Sequence, residues 1–319
     1  MRQAVLAGAR NFTMITGPMA DVAENEVVIK VHYCGVCMGE VATWSRSLDG
    51  GYPFRMGHEI SGRIVDKGSA VSGFEMGQAV MAITMGRGYA THVSAETSQL
   101  VAVPENVSLK AASLGEPLAC AVNAASRAGV LLGDTVVIVG SGFMGLLMLQ
   151  LVRLLGASRV FMVDLRQELA PVALDLGAKA LISPEQAKDV LNHATDGRLA
   201  DVVIEATGSE AALQLAGELV RIRGRLVIYG YHQDGFRAID IGNWNWKGID
   251  VVNGHERSTE RYVQGLRRGV ALAGQERVQL ESLITHVFSG DDMNQAFAIA
   301  QSKPVGFIKA VTDWTLVSP

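Results

Sequence analysis

Two rhythms of apolar and polar positions divide the chain. Up to about residue 115, short β-rich runs at 26–33 (EVVIKVHY), 60–65 and 78–83 are punctuated by glycines, the pattern of a folded-over β-rich domain. From residue 134 the rhythm changes to apolar strand, glycine turn and amphipathic helix. Strands are expected at 135–139, 159–163, 180–182, 201–205, 225–229 and 250–252, and helices at 143–155 and 168–176, the second ended by Gly177. Strands alternating with helices predict an α/β domain with a parallel, doubly wound sheet. After a further helical stretch at 258–273, strand-like pieces at 283–288 and 306–311 return to the first style. The expected organisation is a β-rich domain in two segments, 1–117 and 256–319, with the α/β domain, 118–255, inserted between them.

Composition narrows the class. At roughly 150 residues per domain, 319 residues make about two domains, with room for a core in each and a cleft between lobes. With 49% hydrophobic and 19% charged residues, disorder as the main state is excluded. Twenty-eight Lys and Arg against 32 Asp and Glu give a net charge of −4, and no basic run tracks a phosphate backbone, so no nucleic-acid partner is expected. Three cysteines, Cys34, Cys37 and Cys120, cannot build a disulfide framework or a four-thiolate zinc site, but one can serve a mixed site. The N-terminal stretch lacks the apolar core and cleavage signal of a secretory peptide. The most membrane-like stretch, 136–152, is interrupted by Gly140-Ser141-Gly142, which reads as a turn. A cytoplasmic protein without a membrane partner is expected.

Gly140-Ser141-Gly142-Phe143-Met144-Gly145 is a GxGxxG turn between an apolar strand and a helix, and the acid Asp164 ends the next strand. Gly140 permits the tight turn, Gly142 lets the backbone approach a pyrophosphate, and Gly145 lets helix pack on strand. The helix N-terminus offers free N–H groups and a positive dipole end. Asp164 would accept hydrogen bonds from ribose hydroxyls and repel a 2′-phosphate, which favours NAD over NADP. Arg166 qualifies that preference, since a nearby arginine can accommodate the phosphate.

Cys37 lies just after a strand and His58-Glu59 follows about twenty residues later, with Glu116 immediately before the α/β domain. Thiolate and imidazole are ligands that zinc prefers, and a catalytic site leaves one position open.

Taken together, Cys34-Gly35-Val36-Cys37, the GHE-x2-G-x5-G-x2-V signature from Gly57 to Val71, Glu116-Pro117-Leu118, the dinucleotide turn and residues 201–208 (DVVIEATG) resemble a zinc-dependent member of the medium-chain dehydrogenase/reductase superfamily, in the branch with sorbitol and threonine dehydrogenases. The resemblance implies a Rossmann domain inserted in a GroES-like catalytic domain. It implies Cys37 and His58 as zinc ligands, Glu59 as a third or exchanging ligand, and Glu116 binding directly or through water. Cys34 matches a cysteine that is not a ligand, and Cys120 is expected as a small apolar group in a helix. By the same resemblance Gly230 and the Asn253-Gly254 turn line the nicotinamide and Lys309 helps hold the pyrophosphate. A homodimer or homotetramer is implied through the sheet edge of the nucleotide domain.

Two departures matter. Relatives with a structural zinc carry four clustered cysteines where this sequence has only the stretch 84–87, so one zinc per chain is expected. After Cys37 the run Met38-Gly39-Glu40 lacks the Ser or Thr that begins the proton relay, and Ala42 stands where many relatives have the relay histidine. Glu40 keeps the acid that would orient His58. The proton must leave by Thr43, by Glu59, by a water chain or by a hydroxyl of the substrate itself. His255-Glu256-Arg257, with Trp244 and Trp246 nearby in sequence, reads either as a substrate-hydroxyl site or as a solvated turn opening the next helix.

The activity implied is hydride transfer between NAD(H) and a secondary alcohol or ketone, with a polyol, sugar or cyclitol as the small-molecule substrate. Alternatives are an NAD(P)H-dependent reductase of a conjugated or cyclic carbonyl, and a non-catalytic dinucleotide-binding protein.

Overall fold

The computed structural model describes residues 1–19, 22–84, 86–233 and 235–318, to which every count below refers. The chain forms two compact units, one of Met1–Ala119 with Val263–Pro319 and one of Cys120–Tyr262.

The first unit is built on a mixed sheet. Its described strands run in the order Ile284–Ser289, Lys309–Asp313, Glu26–Gly35, Glu59–Lys67, Ala79–Ile83 and Leu100–Ala102, and His92–Glu96 also pairs with Glu26–Gly35. A smaller sheet joins Asn11–Thr16, Arg2–Gly8 and Phe54–Arg55. Val27, Ile29, Val31, Ile60 and Ile64, from the two central strands, enter one apolar core with Phe12, Trp44, Tyr89 and Phe297. The Phe297 ring is the hub of the aromatic group, with centroids 4.8 Å from Phe12 and 5.7 Å from both Trp44 and Tyr89. Such tilted and edge-on arrangements satisfy the ring quadrupoles while burying large area. Lys309–Asp313 pairs antiparallel with the end of Glu26–Gly35, in the register Val311 to Gly35 and Thr312 to Cys34. The C-terminal part of the chain thereby meets the segment that leads into Cys37.

The second unit contains six parallel strands, in the order Ala180–Ile182, Arg159–Val163, Thr135–Val139, Ala200–Glu205, Val220–Ile228 and Asp250–Asn253. Strand order reverses at Thr135–Val139, and in open α/β sheets ligands bind outside the carboxyl ends of the strands at such a switch point. Val137, Val139, Val203 and Leu226 from the central strands pack with Leu213, Leu219 and Trp244 from flanking helices.

Several elements differ in detail from the sequence pattern. The strand expected at 306–311 begins at Lys309, because Gly306 takes φ +81° and the Phe307 N–H closes a turn on the Pro304 carbonyl. The helix expected at 168–176 is a 3-10 turn, Gln167–Leu169, running into Ala170–Asp175, whose first turn holds Pro171 where no N–H is required. Among the described residues, no helix is long and apolar enough to cross a membrane.

Candidate active site

Cys37, His58 and Glu59 reach the same place from two directions. Cys37 precedes the short helix Met38–Trp44, and His58 stands just before the strand Glu59–Lys67 that Glu59 opens and that pairs with Glu26–Gly35. Among the described residues, they form the one group of three His, Cys, Asp or Glu side chains whose ligand atoms all lie within 4.8 Å of one another. Thiolate, imidazole and carboxylate are a donor set suited to zinc, with room for a fourth ligand. Glu116 stands in the first turn of the helix Gly115–Ala128 and is not part of this group.

Glu40, on the first turn of the short helix, organises the histidine. Its Oε1 lies 3.0 Å from His58 Nδ1 and accepts the Gly57 N–H at 2.7 Å, while Oε2 accepts the Tyr89 hydroxyl at 2.6 Å. An ionised carboxylate can only accept, so Nδ1 carries a proton and Nε2 is the nitrogen offered to a metal. Burial would raise the Glu40 carboxyl, but His58, Tyr89 and the Gly57 N–H hold it below the usual carboxylate range. Burial likewise opposes a charged His58, and the Glu40 carboxylate, helped by Cys37, carries that imidazole well above its ordinary value. A metal at Nε2 would compete with a proton for that nitrogen.

Glu59 is 1% exposed and is held by a residue that the sequence assigned elsewhere. Lys309 Nζ donates to Glu59 Oε1 at 2.9 Å, lies 2.7 Å from Oε2, and donates to the Val36 carbonyl at 2.9 Å. The lysine expected on a pyrophosphate thus has an anionic partner inside its own unit. Thr43, a candidate for the proton route, donates its hydroxyl to the Gly39 carbonyl one helical turn back, at 3.2 Å. Cys34 is fully buried, and burial pushes its thiol well up, so it remains a neutral core side chain. Cys120 lies in the helix Gly115–Ala128, with its sulfur 2.6 Å from the Tyr262 hydroxyl.

In the second unit the glycine turn follows Thr135–Val139, and Gly142 caps the helix Phe143–Leu154. Gly140 takes φ +112°, and a β-carbon on Gly145 would fall 1.9 Å from the Gly140 carbonyl oxygen, so neither tolerates a side chain. Phe143 is buried and Met144 half-buried. Asp164 Oδ2 accepts from the Ser141 N–H at 2.6 Å and the Ser141 hydroxyl at 2.8 Å, and Oδ1 accepts the Arg166 N–H at 2.9 Å. Burial opposes the charge, but these bonds and the Arg166 guanidinium hold the Asp164 carboxyl below its ordinary value. An Nη of Arg166 lies 3.4 Å from the point where a β-carbon on Gly142 would sit.

Gly230 closes against the end of Ala200–Glu205, its N–H bonded to the Glu205 carbonyl at 2.7 Å. Beside it lies a buried group that sequence reasoning did not find. The Glu205 side chain is 0% exposed, and its Oε1 accepts from the Thr207 and Gly208 N–H groups and the Thr207 hydroxyl. His232 Nε2 meets Oε2 at 2.9 Å, and Arg237 Nε donates to His232 Nδ1 at 3.1 Å. The arginine can only donate, so Nδ1 accepts and Nε2–H is given to Glu205. The signal available in the sequence was the acid inside the run at 201–208.

His255 is half-buried, with Nε2 3.4 Å from the Gly230 carbonyl and its ring centroid 5.5 Å from that of Tyr231; burial chiefly lowers its imidazole. Glu256 Oε1 accepts the N–H groups of Arg257 and Ser258, so this residue shapes the turn before the helix Thr259–Gly274. Trp244 is a core residue and Trp246 is 76% exposed.

Comparisons with known proteins agree with this architecture. The family described as the alcohol dehydrogenase GroES-like domain matches residues 23–130, and zinc-binding dehydrogenase matches residues 144–268. A sorbitol dehydrogenase of Halalkalibacterium halodurans is 26% identical over 92% of this chain and 94% of its own. D-xylulose reductase A of Aspergillus oryzae is 28% identical, covering 92% of this chain and 91% of its own. The crystal structure of an Escherichia coli oxidoreductase of unknown specificity superposes with a TM-score of 0.89 at 25% identity, over 98% of both chains. With the Cys37–His58–Glu59 cluster in a GroES-like unit and a glycine turn at the switch point of a Rossmann-type sheet, the chain belongs to the zinc-type medium-chain alcohol dehydrogenases, an oxidoreductase family.

Proposed function

We propose that this chain is a dehydrogenase of a polyol, sugar or cyclitol that holds one catalytic zinc through Cys37, His58 and Glu59, with Glu116 as a further or water-mediated ligand, and uses NAD. The observation that carries the reading is the converged Cys37–His58–Glu59 donor set, with His58 Nδ1 taken by Glu40 so that Nε2 is the nitrogen left for a metal. Zinc, when bound there, supplies a Lewis acid that makes a substrate hydroxyl more acidic, so that hydride can pass to the nicotinamide.

The protein's own groups do the rest. The N-terminus of Phe143–Leu154 and the glycine turn receive the pyrophosphate, and Asp164 takes the ribose hydroxyls in exchange for its bonds to Ser141. Gly39 offers no hydroxyl, and the Thr43 proton is engaged by the Gly39 carbonyl. A substrate that carries a neighbouring hydroxyl supplies the missing relay group itself, which favours a polyol. The names of the sorbitol dehydrogenase and the D-xylulose reductase lean the same way.

Two copies would associate along Asp250–Asn253, the edge of the parallel sheet, where backbone groups on one side have no strand partner among the described residues. A cytoplasmic location fits this reading.

Steady-state assays test the function. A panel of polyols and cyclitols is run with NAD and with NADP against a panel of enones with the reduced cofactors, alongside elemental analysis. Turnover of a polyol with NAD and one zinc per chain is expected. Turnover confined to enones, or a metal-free protein that binds dinucleotide without turnover, would reject it.

A further inference from the structure

We propose that Tyr89 is a positioning residue of the metal site: through its hydrogen bond to Glu40 Oε2 it fixes the carboxylate that orients His58. This rests on the zinc reading above and extends it to a residue that touches no expected ligand.

Tyr89 is 0% exposed and lies in the short crossing between the strands Ala79–Ile83 and His92–Glu96. Its Oη is 2.6 Å from Glu40 Oε2 and 3.1 Å from the Gly35 carbonyl. A phenol has one proton to give. The shorter, charge-assisted bond to the carboxylate takes it. Glu40 then has both oxygens committed: Oε1 to the Gly57 N–H and His58 Nδ1, and Oε2 to Tyr89.

A carboxylate anchored at one oxygen alone can swing about its terminal torsion, which is broad for a glutamate side chain. Pinning the second oxygen removes that freedom and sets the plane in which Oε1 meets His58. The crossing is itself tied to the loop before the histidine. The Gly88 N–H donates to the Gly57 carbonyl at 2.8 Å, and the Tyr89 N–H to the Met56 carbonyl at 3.3 Å. The Tyr89 ring packs edge-on against Phe12 and Phe297, so the hydroxyl is aimed by the core and not by a mobile side chain.

The sequence carries this crossing as a deletion, a gap left where relatives hold a second zinc. The geometry points to a positive role for Gly88 and Tyr89, which follow that gap and hold the loop before His58 together with the carboxylate that meets it.

The test is zinc affinity of the metal-stripped full chain, by competition with a chromophoric chelator, for wild type, Tyr89→Phe, Glu40→Gln and the double variant. Phe keeps the ring contacts and removes only the hydroxyl. Outer-sphere partners of a metal-bound histidine are typically worth about 10–100-fold in metal affinity; one bond further out, Tyr89→Phe is expected to weaken zinc about tenfold, the low end of that range. In the Glu40→Gln background the same change should have no further effect. An unchanged affinity in Tyr89→Phe, or an equal loss in both backgrounds, overturns the proposal.

Stability of the metal-free variants in urea is measured in parallel. A purely structural hydroxyl would lower that stability and leave zinc affinity in place. Should Tyr89→Phe fail to fold, proton NMR of the wild-type protein decides: a slowly exchanging Tyr89 hydroxyl supports the bond to Glu40, and a freely exchanging one removes it. Failure of the wild-type chain to bind zinc would reject the metal reading instead, and is distinct from both outcomes.

Discussion

Lys309 and Glu59, 250 positions apart in sequence, form a buried ion pair, with the ammonium 2.7 Å from one carboxylate oxygen and 2.9 Å from the other. The two side chains are 6% and 2% exposed, so water contributes little screening. Lys309→Met leaves an uncompensated charge in the interior, which typically costs about 3–5 kcal/mol. Urea unfolding of the metal-free variant should show a loss of that order, and added zinc should recover part of it, because Glu59 gains another cation. A loss that zinc does not touch would mean that Glu59 is no ligand.

Gly35 is the floor beneath Glu59. A β-carbon there would stand 1.9 Å from Glu59 Oε2, closer than any real contact. Gly35→Ala must push the carboxylate off Lys309 and out of the metal cluster, with an overpacking cost of about 1–3 kcal/mol. Elemental analysis of the purified variant should find it depleted in zinc. Full occupancy at wild-type affinity would contradict the geometry.

Asp164 ties the stability of the second unit to pH. Its carboxyl value in the folded chain is depressed, so the group stabilises fully above the unfolded value near about 3.9. That contribution is lost as pH falls through the lower, folded value. The stability gap between wild type and Asp164→Asn, followed by denaturant unfolding, should stay constant from about pH 7 to about pH 5 and close below about pH 4. A gap that widened on acidification would reverse the sign and refute the assignment.

Glu205 holds two backbone N–H groups, a hydroxyl and His232 without contact with solvent. Glu205→Ala strands these donors, each at about 1–3 kcal/mol when left unsatisfied in the interior. A loss of at least about 3 kcal/mol in chemical denaturation is expected, with a smaller loss for His232→Ala, which breaks only the bonds to Glu205 and Arg237. Equal losses would place the weight on the histidine instead.

The dinucleotide turn was legible because each of its requirements is local: a tight turn, a close helix and an acid one strand later all fall within 25 residues of Gly140. The parallel order of the six strands followed from the alternation of strands and helices for the same reason. That Cys37, His58 and Glu59 come together was legible through the run at 34–37 and the motif at Gly57–Val71, since thiolate, imidazole and carboxylate are side chains whose chemistry suits a shared site. What escaped was pairing across long separations. Nothing near Lys309 announces Glu59, and its place at the start of a strand equally suited a phosphate-binding lysine. Tyr89 carried no signal of its own, since only the fold brings its hydroxyl to Glu40, 49 residues away. The helix Met38–Trp44 was missed because seven residues make two turns, too few for a period to emerge.

The strand Lys309–Asp313 lies next to Glu26–Gly35, so the first unit cannot finish folding until residue 309 has been made. On the ribosome, Glu59 emerges 250 residues before its counter-cation, with the whole of Cys120–Tyr262 synthesised in between. Domains generally fold as units as they emerge, at about 5–20 residues per second. The nascent chain thus spends on the order of tens of seconds with the Glu59 carboxylate unmatched by lysine and kept in water, so its burial must wait for the last segment of the chain.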